Sequence, residues 1–279
     1  MIAHEFEYVK PASLAQALDL LARDDAKALS GGMSLIPMMK LRLAMPATLV
    51  DLSGLEELRS AEVNGALHIG ALTTHFEVES SKLIRQKCPL LAETAAQIGD
   101  VQVRNMGTIG GATAHNDPAA DYPAALVALG ARVHLASTKG TREMDIEDFL
   151  VDTLTTALEP GEIITHVVVP IETAGMGTCY KKVAQAASGY AMVGIAVRVQ
   201  KRDGKISRAH VAVTGLASKA FRAIKVEQAL VNGASVTDAA ALVADGVDAS
   251  ADIHASADYR KHLARVHTAR AIIAALAKC

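Results

Sequence analysis

The sequence predicts a mixed α+β protein, with an α/β N-terminal part of two subdomains and a C-terminal α+β domain. Strand-like and helix-like runs alternate over the first 56 residues, which is the pattern of a small α/β unit. After residue 175, three strand-like runs come first and helices follow, which is typical of an α+β domain. The length of 279 residues exceeds the roughly 100–200 residues of one domain, so several packed units are expected.

The first predicted subdomain covers residues 1–56. Residues 6–9 alternate as a short strand, and Ser13 is a helix N-cap before apolar residues at helical spacing. A buried strand at 26–29 and a helix at 35–43 follow, with Pro37 in the first helical turn, where a missing N–H does no harm. A strand at 49–52 completes a β-α-β-loop-α-β unit.

The second predicted subdomain covers residues 57–174. Asn64-Gly65 is a hairpin signal between two strand-like runs, and Thr74 with Glu77 has the spacing of a helix capping box. Residues 82–98 form an amphipathic helix that is interrupted or restarted at Pro89. The β-branched run at 163–169 is a further strand, so this subdomain mixes both element types.

The C-terminal domain is predicted to cover residues 175–279, after a Gly- and Thr-rich boundary. It should contain a three-stranded antiparallel sheet followed by three helices. The strands are expected at 178–183, 191–200 and 205–214, and the helices at 220–231, 236–246 and 258–277. Asp203-Gly204 supplies the turn between the second and third strands.

Composition and charge exclude several classes of function. The net charge of −2 argues against nucleic acid as the main partner, because phosphate backbones require a basic face. No apolar run approaches the ~18 residues needed to span a bilayer, and the N-terminus has no signal-peptide pattern, so a cytoplasmic location is expected. The three cysteines have no C-x-x-C spacing, so neither a zinc ribbon nor an iron–sulfur cluster is predicted on this chain.

Two glycine-rich stretches, at residues 30–34 and 107–121, are the strongest candidates for a binding site. Glycine allows another group to approach the main chain closely, and successive backbone N–H groups in such a turn form a concave anion site. Two such loops about 80 residues apart can hold one diphosphate from two sides. Either loop taken alone is equally compatible with an ordinary turn.

The familiar catalytic and nucleotide motifs are missing. The sequence has no P-loop, no G-x-S-x-G elbow, and Tyr180 where a dinucleotide fingerprint starting at Gly175 needs its third glycine. The ten histidines are scattered, so we predict no metal site and no catalytic acid, base or nucleophile. Two diphosphate-type loops without such residues suit a protein whose chemistry belongs to a bound cofactor.

The neighbours of the glycine pairs make the pattern more specific. The first stretch is SGGMSLIPMMK from Ser30, and the second is IGDVQVRNMGTIGG from Ile98, continuing to DPAADYP. LEPGEII at 158–164, YKKV at 180–183 and GYA at 189–191 follow in order. Together they resemble the FAD-binding medium subunits of molybdenum hydroxylases, the xanthine dehydrogenase family, and most of all those of aerobic carbon monoxide dehydrogenases.

That resemblance covers essentially the whole chain and implies a PCMH-type FAD-binding fold followed by a domain of the CO dehydrogenase flavoprotein type. It implies that FAD is held non-covalently by main-chain amides and the hydroxyl of the first loop, by the second loop, and by side chains near the adenine, ribose and flavin. The residues so implied are Gly31, Gly32, Met33, Ser34, Leu35, Thr108, Gly110, Gly111, Ala112, His115, Asp121, Ile164, Lys182 (or Lys181) and Tyr190.

The same resemblance implies partners. A large molybdopterin subunit oxidises the substrate, a small subunit with two [2Fe–2S] clusters passes electrons to this chain, and an external acceptor receives them, in an (αβγ)2 heterohexamer. Met33 and Ala112 depart from the His or Asn and the Asn that relatives often carry, which removes side-chain contacts and leaves main-chain donors in place. No cysteine-bearing insertion is present, so the additional cluster of the benzoyl-CoA-reducing branch is not expected.

Two other hypotheses remain open at this point. The chain is alternatively a self-contained PCMH-type flavin oxidase whose C-terminal domain covers the substrate. A non-catalytic scaffold that holds a nucleotide is the third hypothesis. The substrate and the electron acceptor are not readable from the sequence.

Overall fold

The N-terminal unit of the computed structural model, which describes residues 2–279, is a three-stranded parallel sheet with two helices. Its elements are β1 (Glu7–Val9), α1 (Leu14–Leu21), β2 (Ala26–Leu29), α2 (Leu35–Lys40) and β3 (Thr48–Asp51). Both outer strands pair with β3 in the order β1-β3-β2. The predicted alternation of strands and helices is confirmed.

A five-stranded antiparallel sheet forms the centre of the second unit, in the order β4-β5-β10-β6-β7. One face of this sheet carries buried aliphatic side chains and packs on helices, and these residues belong to the largest core cluster. The strands of the unit are β4 (Ala61–Asn64), β5 (Ala66–Gly70), β6 (Arg132–Ser137), β7 (Gly140–Asp145), β8 (Leu150–Asp152), β9 (Thr155–Thr156) and β10 (Ile163–Val169). β8 and β9 pair separately.

Seven helices belong to this second unit. They are α3 (His75–Ser80), α4 (Lys82–Lys87), α5 (Pro89–Ala95), α6 (Val101–Met106), α7 (Ile109–His115), α8 (Asp121–Leu129) and α9 (Ile146–Phe149). The predicted capping box is present, because the Thr74 side chain accepts from the Glu77 amide and the Glu77 side chain accepts from the Thr74 amide. Pro89 starts a new helix, as predicted. All nine residues of α8 are buried, which makes it the central helix of the core.

The second glycine-rich stretch is not the continuous loop that the sequence predicts. Its middle forms α7, because the Thr108 hydroxyl accepts a hydrogen bond from the Gly111 amide and caps the helix start. Asn116 ends the helix in the left-handed conformation, with φ of 47°. Gly110 and Gly111 therefore lie in the first turn of a helix, and Gly107 precedes it at the end of α6.

The C-terminal unit has a four-stranded antiparallel sheet, so the prediction of three strands was wrong. Its strands are β11 (Met176–Ala184), β12 (Ala191–Arg202), β13 (Lys205–Thr214) and β14 (Phe221–Arg222), and its helices are α10 (Ile224–Val231), α11 (Val236–Ala241) and α12 (Ala257–Leu276). The extra strand arises where Phe221 pairs with Val213. This pairing occupies the start of the predicted helix at 220–231, which consequently begins at residue 224.

The second and C-terminal units pack against each other around α8. This helix contacts β12 and β13 of the C-terminal sheet on one side and α5 of its own unit on another. Among the helices of residues 2–279, none has the combination of length and apolar character that crossing a bilayer requires.

Candidate cofactor-binding site

A cavity of about 900 Å³ lies where the three units meet. Residues from each unit line it, including Gly32 from the first, Thr108 from the second and Tyr190 from the third. Thirteen of the fourteen residues predicted to bind cofactor line this cavity: Gly31, Gly32, Met33, Ser34, Leu35, Thr108, Gly110, Gly111, Ala112, His115, Asp121, Ile164 and Tyr190. The exception is Lys182, which lies behind the wall. The structure therefore brings together residues that are far apart in sequence.

The loop between β2 and α2 presents main-chain donors to the cavity. Within residues 2–279, the amides of residues 31–35 find no backbone acceptor, although the first two glycines of the loop are buried. The left-handed φ of 74° at Gly32 turns the chain so that successive N–H groups follow a curve. Ser34, at the N-cap of α2, makes no capping bond with its hydroxyl. Free amides at a helix N-terminus make an anion site.

The start of α7 is arranged differently. The Gly110 amide donates to the Ala71 carbonyl at 2.9 Å, and the Gly111 amide donates to Thr108 Oγ1 at 3.0 Å. The Ala112 amide donates to the Thr108 carbonyl at 3.0 Å. These amides already have acceptors within the chain, so the prediction that they bind a diphosphate directly stays a prediction. The helix start still contributes its partial positive charge to the cavity wall.

Close packing between the two segments accounts for the glycines themselves. A Cβ placed on Gly31 would lie 1.9 Å from the Met106 carbonyl oxygen, which is a backbone atom that a rotamer change cannot move. A Cβ on Gly110 would lie 2.4 Å from Ala71 Cβ. The Thr108 hydroxyl also donates to Ser30 Oγ at 3.2 Å. A side chain at Gly31 would separate the two walls of the cavity, and one at Gly110 would push α7 away from the end of β5.

A buried ion pair forms the base of the cavity next to α8. Lys182 Nζ donates to Asp121 Oδ2 at 2.9 Å and to the Gln97 carbonyl at 2.6 Å, and the Tyr180 hydroxyl donates to Asp121 Oδ1 at 2.5 Å. Burial raises the pKa of Asp121, while Lys182 and Tyr180 act in the opposite direction. Lys181 is exposed on the other face of β11, so Lys182 is the lysine that neutralises this carboxylate.

Tyr180 is a site residue that the sequence analysis missed. Its side chain and that of Lys182 point to the same face of β11, because alternate residues of a strand share a face. The side chain is fully buried, and this burial, together with the neighbouring Asp121 carboxylate, holds the pKa of Tyr180 well above its usual value. The i, i+2 spacing in Tyr180-Lys181-Lys182 was the available signal.

Two histidines lie in the cavity wall: His115, which the resemblance implied as a cofactor-binding residue, and His75, which the sequence analysis did not assign to the site. His75 is 4% exposed, and burial together with Arg104 lowers its pKa to about 4, so the ring is neutral at physiological pH. Its ring packs edge-on against Tyr122, with centroids 5.2 Å apart. Burial also lowers the pKa of His115. Its distance along the sequence concealed that His75 reaches the same cavity as His115.

The C-terminal unit contributes a side chain and a support to the site. Tyr190, which is 42% exposed, lines the cavity, and burial raises its pKa while the Ser34 side chain acts in the opposite direction. The turn that precedes Asp121 is held by hydrogen bonds from this unit. Thr214 Oγ1 lies 2.9 Å from the Pro118 carbonyl oxygen and 2.7 Å from that of Ala120. The Gly215 amide donates to the Pro118 carbonyl as well, at 2.7 Å.

Comparison with known proteins adds to this geometry. Residues 4–172 match the family described as the FAD binding domain in molybdopterin dehydrogenase, and residues 178–275 match the CO dehydrogenase flavoprotein C-terminal domain. The chain is 38% identical to the glyceraldehyde dehydrogenase medium chain of Sulfolobus acidocaldarius over 97% of this chain and 98% of that one. It is 37% identical to the carbon monoxide dehydrogenase medium chain of Hydrogenophaga pseudoflava, covering all of both chains.

The solved structures agree with these sequence relatives. A chain of the Hydrogenophaga pseudoflava carbon monoxide dehydrogenase that lacks the Mo-pyranopterin moiety superposes with a TM-score of 0.95. Its sequence is 39% identical, and the match covers all of both chains. The fold and the sequence thus point to one group of proteins, whose members are named for different substrates.

Proposed function

The chain belongs to the family of FAD-binding subunits of molybdenum hydroxylases, and we propose that it is the electron-output subunit of such an enzyme. It takes electrons from an iron–sulfur subunit and delivers them to an external acceptor. The observation that carries this proposal is the cavity whose first loop offers five consecutive amides without an acceptor in residues 2–279. An anionic diphosphate is the ligand chemistry that such donors select.

The residues present fit FAD. The amides of Gly31, Gly32, Met33, Ser34 and Leu35 hold the diphosphate, with the Ser34 hydroxyl assisting, while Thr108, Gly110, Gly111, Ala112 and His115 face it from the other wall. Asp121 accepts hydrogen bonds from a ribose or adenine edge, and Lys182 compensates its charge. Ile164 packs against a ring system, and Tyr190 lies beside the flavin. When bound, FAD supplies the redox chemistry that links a one-electron carrier to a two-electron acceptor.

The domain division follows the same proposal. Residues 1–174 form the FAD-binding domain, with subdomains at about 1–56 and 57–174, and residues 175–279 form the C-terminal domain. The separate sheets of the three units support this division. The cavity lies between all three, so each of them is needed for binding.

The partners are a large molybdopterin subunit and a small subunit with two [2Fe–2S] clusters, assembled as (αβγ)2. Similar chains that are named medium chains of dehydrogenases support this assembly. Relatives named for glyceraldehyde and for carbon monoxide are almost equally similar, so we propose that the substrate is selected on the large subunit. The complex is proposed to work in the cytoplasm.

The test is to purify the chain together with its partner subunits and to analyse its cofactors. Heat-released cofactor is identified by chromatography, and iron and molybdenum are measured per chain. About one FAD per chain with co-purifying iron and molybdenum is the expected result. FAD with substrate oxidation by the chain alone would favour the self-contained oxidase, and a fully assembled but colourless complex would overturn flavin binding.

A further inference from the structure

A concentrated apolar surface, here called the rim patch, follows the first cofactor loop. It consists of the exposed side chains of Met33, Ile36, Leu41, Leu43 and Met45, of which Leu43 is 71% and Met45 57% exposed. Twenty large apolar side chains are exposed in residues 2–279, and five of them fall within these 13 residues. Single exposed apolar residues are ordinary, whereas a contiguous group marks an interaction surface.

The rim patch lies at the mouth of the cofactor cavity. Met33 and Leu43 line the cavity, whereas Ile36, Leu41 and Met45 lie outside it. A macromolecule bound to the patch would therefore contact the edge of the site itself. Electron transfer between two bound redox centres weakens steeply with distance, so a redox partner needs such a position.

The charges carried by the segment that forms the rim patch are positive. Between Ser30 and Val50 the chain has two cations, Lys40 and Arg42, and no acidic residue, although its overall net charge is −2. Both cations are exposed, and neither has an ion-pair partner within residues 2–279. A second copy of the patch would bring like charges together, which disfavours self-association through this face. Carboxylates around an apolar centre are the complementary surface.

Arg42 occupies a backbone position that a glycine would fill better. Its φ is 60°, and it follows α2 where the Arg42 amide donates to Met39 O at 3.0 Å and the Leu43 amide donates to Met38 O at 2.9 Å. This is a Schellman ending, whose left-handed residue is usually glycine because a side chain is strained there. The strain costs free energy in the free chain, and no hydrogen bond or ion pair of the guanidinium in residues 2–279 offsets it.

We propose that the rim patch is the docking surface for the electron-donating iron–sulfur subunit, whose facing surface has an apolar centre and carboxylates opposite Lys40 and Arg42. This inference rests on the proposed function. The strained arginine is retained because its charge contacts the partner. An anionic membrane is the less favoured occupant, since two cations on a short helix give only weak attraction to lipid.

The experiment measures binding of the purified iron–sulfur subunit of the same complex to the flavin-loaded full chain. Met45→Asp is expected to raise the dissociation constant about tenfold, because it puts a charge in the apolar centre. Ile253→Asp is the matched control, since Ile253 is 95% exposed in the C-terminal unit and far along the chain from the patch. It is expected to bind as wild type does.

Arg42→Gly gives a second test with effects of opposite sign. It is expected to raise the melting temperature of the free chain by about 2 °C, because it relieves left-handed strain, and to weaken binding of the iron–sulfur subunit several-fold. Asp203→Gly is its control, because Asp203 also has a left-handed φ, of 50°, on the β12–β13 hairpin. It should gain stability without any change in binding.

FAD content separates the possible outcomes. Hydrogen exchange of residues 33–45 that slows on complex formation, together with the two variant effects, supports the rim patch. If Met45→Asp and Arg42→Gly chains carry FAD and bind the iron–sulfur subunit as wild type does, the rim patch is not the docking surface, and the proposed function is unaffected. A wild-type chain with neither FAD nor affinity for the iron–sulfur subunit overturns the proposed function. Co-sedimentation with anionic phospholipid vesicles that Met45→Asp abolishes would assign the patch to a membrane and overturn the proposal.

Discussion

Replacing Thr214 by valine tests whether the C-terminal unit supports the cofactor site. Thr214 is fully buried, and its hydroxyl reaches the carbonyl oxygens of Pro118 and Ala120 in the turn before Asp121. A hydroxyl has a single proton, so it donates to one of the two at a time. Valine has nearly the same shape and cannot donate.

The expected loss of stability depends on which hydrogen-bond donor each of the two carbonyl oxygens keeps in the variant. Pro118 O keeps the Gly215 amide as a donor, whereas Thr214 is the one donor recorded for Ala120 O within residues 2–279. One buried acceptor is thus left unsatisfied, which costs about 1–3 kcal/mol. At the middle of that range, the melting temperature should fall by about 4–8 °C. The dissociation constant of FAD should rise by up to about tenfold, because the loosened turn lines the cavity.

The assay is a thermal unfolding scan of the cofactor-free chain, combined with FAD titration followed by flavin fluorescence. Thr268→Val is the matched control, because Thr268 is also fully buried in the C-terminal unit but its hydroxyl has no partner in residues 2–279. Its replacement should leave stability unchanged or raise it. The reasoning is refuted if the two variants unfold at the same temperature and bind FAD equally.

Three further outcomes are expected. Gly31→Ala should abolish FAD binding in a titration, because its Cβ would lie 1.9 Å from the Met106 carbonyl oxygen, and wild-type affinity would contradict this. Lys182→Met should cost about 3–5 kcal/mol in denaturant unfolding by stranding the buried Asp121 carboxylate, and adding Asp121→Asn should restore most of it. His75 has a pKa of about 4 in the folded chain and 6.5 in the unfolded chain, so the unfolded state binds the proton more readily. Stability should therefore fall as the pH drops from 6.5 to 4. The His75→Gln variant should show a flatter dependence of melting temperature on pH over this range.

Local patterns in the sequence predicted most of the elements. The Ser13 cap, the Thr74 capping box and the Pro89 restart lie where expected, because each depends on contacts within a few residues. β14 was missed since two residues carry no periodicity, and Phe221 becomes a strand residue only by pairing with β13. α7 was missed because glycines disfavour helices locally, whereas the Thr108 cap and packing against Ala71 decide otherwise.

The candidate site was predictable as a set of residues and not as a set of interactions. The glycine pairs identified the segments, but the sequence did not distinguish the free amides at Gly32 from the bonded amide at Gly110. That difference depends on the Ala71 carbonyl, which comes from a strand end 39 positions before Gly110 in the chain. Tyr180 was overlooked for a related reason, since its partner Asp121 is 59 residues away.

The wide sequence separation of the cavity contacts has a consequence for how the protein folds. Ser30 and Thr108 are 78 residues apart, and Thr214 and Pro118 are 96 apart. Such contacts require long loops to close first, so the separate sheets should form before the walls meet. We therefore expect a newly synthesised chain to form its secondary structure before its binding site closes. A ligand that contacts both walls should therefore bind in the last step of folding and stabilise the closed site.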